Sequence, residues 1–271
     1  MIWSFSRVTS FDNCKYSFYL QYLLKNRDLY PPESNYWAEV GSFVHKILEM
    51  IFNGELTIDD APEYYLKNFD KEVVTPAPEK IMANTYEACA DYLAIVDFNW
   101  LKEYEILGVE KEIALNIKGY KFTGYIDLLI QNKNTKDIIV VDHKSSQYPL
   151  GKRGGILSNC KHKFDSYKKQ MYLYSLGVYE EYGVYPKEIW WNHFKDGGQF
   201  MKIPFDESEY RAAIDWLIDS IHQIEDEAEY PANNSESNYF YCKNLCNFRK
   251  SCEYAPKNMP NKYRNKNRRK K

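Results

Sequence analysis

The sequence predicts a mixed α/β fold, with a central sheet flanked by helices and helical material inserted before that sheet. Apolar residues recur at helical spacing between Val40 and Phe52. Two predicted strands joined by a short turn follow over residues 106–131. The Ile-Ile-Val-Val run at 138–141 is typical of a strand that is buried on both faces.

The helical part is predicted over about 36–105. An aromatic, amphipathic segment at 10–24 precedes it, and the prolines at 31 and 32 predict a loop between them. Gly54 is the predicted stop of the first long helix. Residues 79–105 contain no proline and continue as mostly helical, whereas 57–78 carries no clear periodicity.

The sheet core is predicted over about 106–228. Strands at 106–117 and 120–131 turn at Lys118-Gly119, and a third strand follows at 137–143. A helix is predicted at about 165–181, then a hairpin over 188–204 and a last helix at 206–227. We expect one domain over 1–256, because segments from both ends of it contribute to the cysteine feature described below.

Composition excludes several classes of protein. The chain has 271 residues, of which 44% are hydrophobic and 27% charged, so a mostly disordered or fibrous protein is not expected. No apolar run is long enough to cross a membrane, and the N-terminal residues do not resemble a secretory signal. These features predict a cytoplasmic protein with no membrane partner.

The net charge of −2 conceals a strong asymmetry along the chain. Residues 257–271 contain eight basic residues and no acidic residue, which leaves residues 1–256 with a net charge of −10. Such a basic run is typical of a disordered, solvated tail. The alternative is an arm that binds phosphates.

Two carboxylates stand in strands where a charge is costly unless it is paired or bound to a metal. Asp127 lies inside an apolar strand, and Asp142 ends the run at 138–141 with Lys144 two residues later. Strand alternation projects Asp142 and Lys144 to the same side. Carboxylates suit Mg²⁺ or Mn²⁺, and a neighbouring lysine can stabilise developing charge. Alone, this pattern is also that of an ion pair at a strand end.

Further residues strengthen the hydrolytic interpretation. His45 lies at the border of the apolar stripe of its helix, where a satisfied boundary histidine is the plainer alternative. Gln170 and Tyr174 lie one turn apart on one helix face, which also suits an ordinary half-buried face. Glu112, on the strand before Asp127, is an additional acidic candidate, and Glu110 beside it is equally visible.

Taken in order, four short motifs resemble the RecB-type branch of the PD-(D/E)XK nuclease superfamily. They are Gly-x-x-x-His at 41–45, Gly-x-x-Asp at 124–127, Asp-x-Lys at 142–144 and Gln-x-x-x-Tyr at 170–174. The resemblance spans about residues 5–254. It implies a restriction-endonuclease-like core. Asp142 stands where many members have glutamate, and Ile126 stands where a proline often precedes the first acid.

The resemblance also implies roles for individual residues. His45, Asp127, Asp142 and the backbone carbonyl of His143 would hold Mg²⁺ or Mn²⁺. Lys144 would be the catalytic lysine. Gln170 and Tyr174 would organise the site and contact DNA.

The cysteines form a second pattern. Cys242, Cys246 and Cys252 fall close together near the C-terminus, and Cys14 stands near the N-terminus. Four thiolates suit a [4Fe–4S] cluster or a structural zinc, and the alternative is three partly buried free cysteines. The arrangement resembles the iron–sulfur staple of AddB nuclease domains and of CRISPR-associated RecB-like exonucleases. That resemblance implies a [4Fe–4S] cluster, with the segment 242–252 closing onto Cys14.

The combined prediction is a Mg²⁺- or Mn²⁺-dependent DNA exonuclease that acts on single-stranded or duplex ends. Lys152 and Arg153, in a glycine-rich loop, are the predicted phosphate contacts. No Walker A sequence is present, so a helicase would be a separate partner. Family analogy suggests DNA recombination or repair, phage DNA processing, or CRISPR adaptation. The alternative is a catalytically silent DNA-binding or adaptor subunit of a larger nuclease–helicase complex.

Overall fold

The computed structural model describes residues 1–256, so the basic tail at 257–271, predicted to be disordered, lies outside the described residues. Within the described chain, the α-helices are α1 (Phe5–Asn13), α2 (Lys15–Phe18), α3 (Tyr36–Phe52), α4 (Ala61–Glu72), α5 (Glu79–Ile95), α6 (Lys161–Tyr182) and α7 (Glu207–Glu225). The strands are β1 (Tyr104–Ile117), β2 (Tyr120–Asn132), β3 (Ile138–Lys144), β4 (Glu188–His193) and β5 (Gln199–Pro204).

The five strands form one mixed sheet in the order β1-β2-β3-β4-β5. Neighbouring strands are antiparallel except for β3 and β4, which are parallel and are connected by the crossover helix α6. The predicted mixed sheet flanked by helices is therefore confirmed. Within the described residues, no helix combines the length and apolar character needed to span a membrane.

Helices pack on both sides of the sheet. One core combines α1, α6 and α7 with the sheet, and Leu129 and Val140 contribute to it. The other combines α3, α4 and α5 with the sheet, and Leu128 and Val141 contribute to that one. The consecutive residues of β2 and β3 therefore enter different cores, which explains why both strands are apolar at every position here.

An irregularity in the β1–β2 pair lies next to the candidate site. Phe122 and Ile126 of β2 pack in the core with α6 and α7, whereas Leu128 packs in the opposite core. All three have even numbers, so the strand changes face at Asp127. The facing residue of β1, Glu110, has a φ of +44°, a conformation that costs roughly 1–3 kcal/mol for a non-glycine residue. Both acidic side chains are thereby taken out of regular strand alternation.

Two predicted segments differ from the structure. Helix α5 ends at Ile95, and a 3₁₀ turn at Asn99–Glu103 leads directly into β1, so the predicted helical stretch 79–105 is too long. The aperiodic segment 57–78 contains α4, whose buried contacts come from only Ala61, Tyr65 and Phe69. Three apolar contacts over twelve residues are too few to produce a strong helical signal in the sequence.

Candidate active site

The end of β3 carries a buried ion pair. Asp142 is only 2% exposed, and Lys144 Nζ lies 2.6 Å from Asp142 Oδ2. Burial disfavours the ammonium, but Asp142, Tyr167 and Asp127 together outweigh it and hold the pKa of Lys144 above its ordinary value. Lys144 is therefore a fixed positive charge at the point where the chain leaves the sheet.

Asp127 lies one residue beyond the last β2–β3 pair, which joins Leu128 to Val141. Its Oδ2 accepts a hydrogen bond of 2.7 Å from the backbone N–H of His143. Burial, followed by the charge of Asp142, raises the pKa of Asp127 to about 7. Asp127 and Asp142 are stable side by side in their ionised forms only when a nearby positive charge offsets their mutual repulsion.

His45, on helix α3, lies close to β2 and β3, the strands that carry Asp127 and Asp142. Its Nε2 donates a hydrogen bond of 2.9 Å to the backbone carbonyl of His143. This bond leaves the lone pair on Nδ1, which lies 3.6 Å from Asp127 Oδ2 and 3.9 Å from Glu110 Oε1. The His143 carbonyl, predicted as a metal ligand, here orients the histidine, as carbonyl partners of metal-binding histidines commonly do.

Glu110 is a site residue that the sequence did not single out. One ligand atom each from His45, Glu110 and Asp127 lie within 4.8 Å of one another. Glu112, the other acidic candidate on this strand, is exposed two residues further along β1. Glu110 and Glu112 are two residues apart, so regular strand alternation predicts the same direction for both side chains. The left-handed backbone at Glu110 is the feature that distinguishes its position from that of Glu112.

The donor set fits a hard divalent cation. Two half-buried carboxylates and an imidazole nitrogen converge from three different elements, and a third carboxylate, Asp142, stands nearby. Oxygen-rich sets with an imidazole suit Mg²⁺ and Mn²⁺ better than soft metals. His45, Glu110 and Asp127 are thus the residues that would hold the metal, with Asp142 adjoining them.

Gln170 and Tyr174 of α6 connect Lys144 to the protein interior. Lys144 Nζ donates to Gln170 Oε1 at 3.2 Å, and Gln170 Nε2 donates to the hydroxyl of Tyr174 at 3.2 Å. Tyr174 is only 6% exposed. The chain of hydrogen bonds suits the predicted organising role, but the buried ring of Tyr174 leaves almost no surface for the predicted DNA contact.

The comparison with known families decides which class of protein this arrangement belongs to. The sequence profile of the PD-(D/E)XK nuclease superfamily matches residues 2–253. The chain belongs to this superfamily. The match covers both cores, the acidic strands and the cysteine segment, so the nuclease family applies to nearly the whole described chain.

Two solved structures resemble the chain at low identity. A protein from Eubacterium rectale, provisionally described as an exonuclease, is 14% identical, with coverage of 86% of this chain and 85% of that chain and a TM-score of 0.48. The protein SSO0001 is 14% identical, with coverage of 93% and 96% and a TM-score of 0.31. At these TM-scores neither likeness carries an argument about this nuclease. No curated protein matches the chain.

The side chain of His143 forms the floor of the nuclease site. It is buried, and burial lowers its pKa well below the ordinary value, so the ring is neutral. Asn192 Nδ2 donates to His143 Nδ1 at 3.1 Å and to the hydroxyl of Tyr92 at 2.8 Å. Phe52 stacks on the other side of the ring. These contacts fix the His143 ring next to the ring of His45, at a distance of 5.7 Å between ring centres.

The predicted phosphate contacts lie on an exposed turn after β3. Lys152 and Arg153 are exposed, and the turn is closed by a bridge between Leu150 and Ile156. Their charges face solvent, where a phosphate backbone has access to them. Their placement on the loop that follows β3 is compatible with the predicted role.

The structure brings the four predicted cluster cysteines to one buried place. Cys14, between α1 and α2, lines the same apolar cavity as Cys242, Cys246 and Cys252. Burial, followed by the neighbouring thiols, raises the pKa of Cys242 to about 11, and burial raises the pKa of Cys246 and Cys252 as well. Without a metal, the side chains of Cys242, Cys246 and Cys252 are therefore neutral thiols.

The spacing of the sulfur atoms bears on the choice of metal. Four thiolates on one zinc, with Zn–S bonds of about 2.3 Å, stand about 3.8 Å apart. Within residues 1–256, no three of these sulfur atoms lie within 4.8 Å of one another. The sulfur atoms are therefore not in the compact arrangement of four ligands on one zinc ion.

Proposed function

We propose that this PD-(D/E)XK nuclease is a Mg²⁺- or Mn²⁺-dependent DNA exonuclease that hydrolyses phosphodiester bonds at single-stranded or duplex ends. The observation that carries the proposal is the buried Lys144–Asp142 pair, which stands beside the convergent ligand atoms of His45, Glu110 and Asp127. The restriction to ends rests on the four-motif resemblance to RecB-type nucleases.

The side chains divide the work of hydrolysis. Asp127 and Glu110 supply negative charge that, together with His45 Nδ1, holds the cation. A bound divalent cation polarises the phosphoryl oxygen and makes a water molecule more acidic. Lys144 presents its ammonium where charge develops on the phosphate, and Gln170 fixes the direction of that ammonium.

The alternative function, a catalytically silent DNA-binding or adaptor subunit, is less well supported. A silent domain has no need to keep a lysine charged in a site where burial opposes its charge. Here Lys144 keeps its charge through Asp142 and is held by Gln170. A catalytic use of the ammonium best explains why the protein keeps Lys144 charged against the cost of burial.

A [4Fe–4S] cluster held by Cys14, Cys242, Cys246 and Cys252 is part of the proposal. The shared cavity supports one common site for the four thiolates, and the resemblance to iron–sulfur nucleases favours a cluster over zinc. Contacts between the two ends of the described chain support a structural role, because Asn35 Nδ2 donates to the Leu245 carbonyl at 3.1 Å. The cluster would lock the C-terminal segment onto the N-terminal helices.

The proposed setting in the cell rests on analogy with the family. We propose DNA recombination or repair, phage DNA processing, or CRISPR adaptation, with any helicase supplied by a separate chain. Lys152 and Arg153 are proposed to contact phosphates.

Digestion of end-labelled DNA with Mn²⁺ tests exonuclease action. Linear single strands and duplexes are compared with the same molecules blocked at both ends and with a closed circle. Free ends are expected to be degraded progressively, and the blocked and circular forms to persist. Equal cleavage of the closed circle would contradict an exonuclease, and no cleavage of any form would contradict a nuclease.

A further inference from the structure

A separate cavity adjoins the catalytic lysine. It has a volume of about 220 Å³ and lies between the loop after β3, the first turns of α6 and the end of β4. The residues that matter for its chemistry are Gln147, Asn159, Lys163, Phe164, Tyr167 and His193. None of them belongs to the proposed metal site.

Tyr167 forms the wall between this cavity and the nuclease site. Lys144 Nζ lies 4.5 Å from the centre of the Tyr167 ring, and Lys163 Nζ lies 5.8 Å from the same centre. The β3–β4 pairing also places Lys144 directly beside His193. A group bound in the cavity would therefore be separated from a phosphate held by Lys144 by the side chain of Tyr167.

The lining combines the features that recognise a nucleobase. Phe164 and Tyr167 offer aromatic surface, and stacking of a base on such a side chain contributes about 1–3 kcal/mol. Gln147 and Asn159 offer amide donors and acceptors for the edge of a base, and Lys163 offers a charge for a phosphate. The volume is below the roughly 300–1,000 Å³ of pockets that enclose a complete drug-sized ligand, and it suits one ring system.

The cavity is already formed in the protein without nucleic acid. Phe164 packs edge-on against Trp191 at 5.0 Å. His193 Nδ1 donates to the Ser146 carbonyl at 3.1 Å, and this bond holds the loop against β4. Asn159 Nδ2 donates to Gln147 Oε1 at 3.2 Å, so the two amides lie together at the cavity. Preformed walls lower the cost of ordering on binding.

We infer that this cavity binds the base of a nucleotide that adjoins the scissile phosphate, an inference that rests on the proposed nuclease function. A base enters such a cavity only after it has left the stack and its pairing partner. The bond that is cut is therefore one whose neighbouring nucleotide is unpaired, and duplex ends must fray before each step.

The test uses a labelled single-stranded oligonucleotide with one abasic residue in its interior. Digestion by the wild-type chain with Mn²⁺ is resolved at single-nucleotide steps and compared with the intact oligonucleotide. Loss of base stacking is expected to slow cleavage of one bond adjoining the abasic residue by roughly fivefold or more. Equal rates at that bond in the two oligonucleotides would overturn the inference without a need for any variant.

A cavity-filling variant provides the second arm. Gln147→Trp is expected to slow cleavage of the intact oligonucleotide and to remove most of the difference between intact and abasic bonds. Ser158→Trp, at an exposed residue of the same loop outside the cavity lining, is the matched control and is expected to keep that difference. Melting curves verify that both variants fold.

The outcomes separate this inference from the function on which it rests. If wild-type protein cuts neither oligonucleotide, the proposed function fails and the inference fails with it. If wild-type protein cuts both but a folded Gln147→Trp variant keeps the full abasic effect, the nuclease function stands and the base cavity is wrong.

Discussion

Tyr174 occupies the space that the absence of a side chain at Gly124 leaves open. A Cβ atom placed on Gly124 would lie 2.5 Å from Cε1 of Tyr174, far inside normal contact distance. Gly124 stands on β2 three residues before Asp127, and Tyr174 stands on α6. Because the Tyr174 hydroxyl holds Gln170, which holds Lys144, a glycine on one strand helps to determine where the Lys144 ammonium lies.

Gly124→Ala is expected to lower both stability and cleavage. The added methyl group must displace the Tyr174 ring, and overpacking of this kind typically costs about 1–3 kcal/mol. The displaced ring releases Gln170, so the rate of cleavage falls more than the loss of folded protein explains. Denaturant unfolding and single-turnover cleavage measure the two effects. Gly155→Ala is the control, since nothing lies within 4 Å of its added Cβ; wild-type values for Gly124→Ala would refute the packing argument.

Glu110→Gln is expected to weaken Mn²⁺ binding by about 10- to 100-fold, the range found for residues that support a metal site. The substitution keeps the shape of the side chain and removes one negative charge next to His45 and Asp127. Calorimetric titration with Mn²⁺ measures the affinity directly, without reference to activity. Glu112→Gln is a matched control on the same strand and is expected to bind like wild type. Equal affinities for the two variants would remove Glu110 from the site.

The metal-free protein is expected to lose stability as the pH rises. The pKa of Asp127 is raised from 3.8 to about 7, mainly by burial and then by Asp142, so the folded chain binds this proton more tightly than the unfolded chain. The stabilisation is complete below pH about 4 and is lost as the pH rises through about 7. Interactions with Glu110 and Asp127 outweigh burial and raise the pKa of His45, which acts in the same direction at higher pH.

Melting temperatures in a chelator between pH about 5 and 8 measure this loss. Asp127→Asn is expected to flatten the dependence, because its side chain does not titrate. Addition of Mn²⁺ to the wild type at pH about 8 is expected to restore stability, because the cation replaces the protons. A slope in Asp127→Asn as steep as in the wild type would show that other groups control the pH dependence.

Iron is expected in the anaerobically purified protein at about four atoms per chain, as a [4Fe–4S] cluster requires. Cys242→Ser is expected to lose the iron, the brown colour and part of the thermal stability. Cys160→Ser, which alters another buried cysteine that does not line the cavity shared by Cys14, Cys242, Cys246 and Cys252, is expected to keep them. One zinc atom per chain in place of iron would contradict the cluster.

The sequence predicted those parts of the fold that rest on local patterns. The β-branched run at 138–141 was recognisable because a strand buried on both faces is apolar at every position. All three antiparallel hairpins, β1–β2, β2–β3 and β4–β5, had turn residues at their tips, and α3 had a complete apolar stripe. Helix α4 gave no such signal, because only three of its residues are buried.

The sequence predicted the candidate site only as a set of residue types that occur in a particular order along the chain. His45, Asp142, Lys144 and Gln170 do meet at the end of β3. Glu110 could not be chosen over Glu112, because its selection depends on a backbone conformation that arises where β2 changes face. The base cavity also left no pattern, since its walls come from a loop, a helix start and a strand end that only the fold brings together.

The most direct test of the account compares wild-type chain with Lys144→Ala in Mn²⁺-dependent digestion of linear DNA. Lys118→Ala, at an exposed lysine of the β1–β2 turn, serves as the control. Lys144→Ala is expected to lose about a hundredfold or more in cleavage rate, the scale of a lost transition-state contact, while its iron content and circular dichroism remain those of the wild type. Cleavage by a folded Lys144→Ala variant at the wild-type rate would contradict the assignment of this site as the nuclease centre.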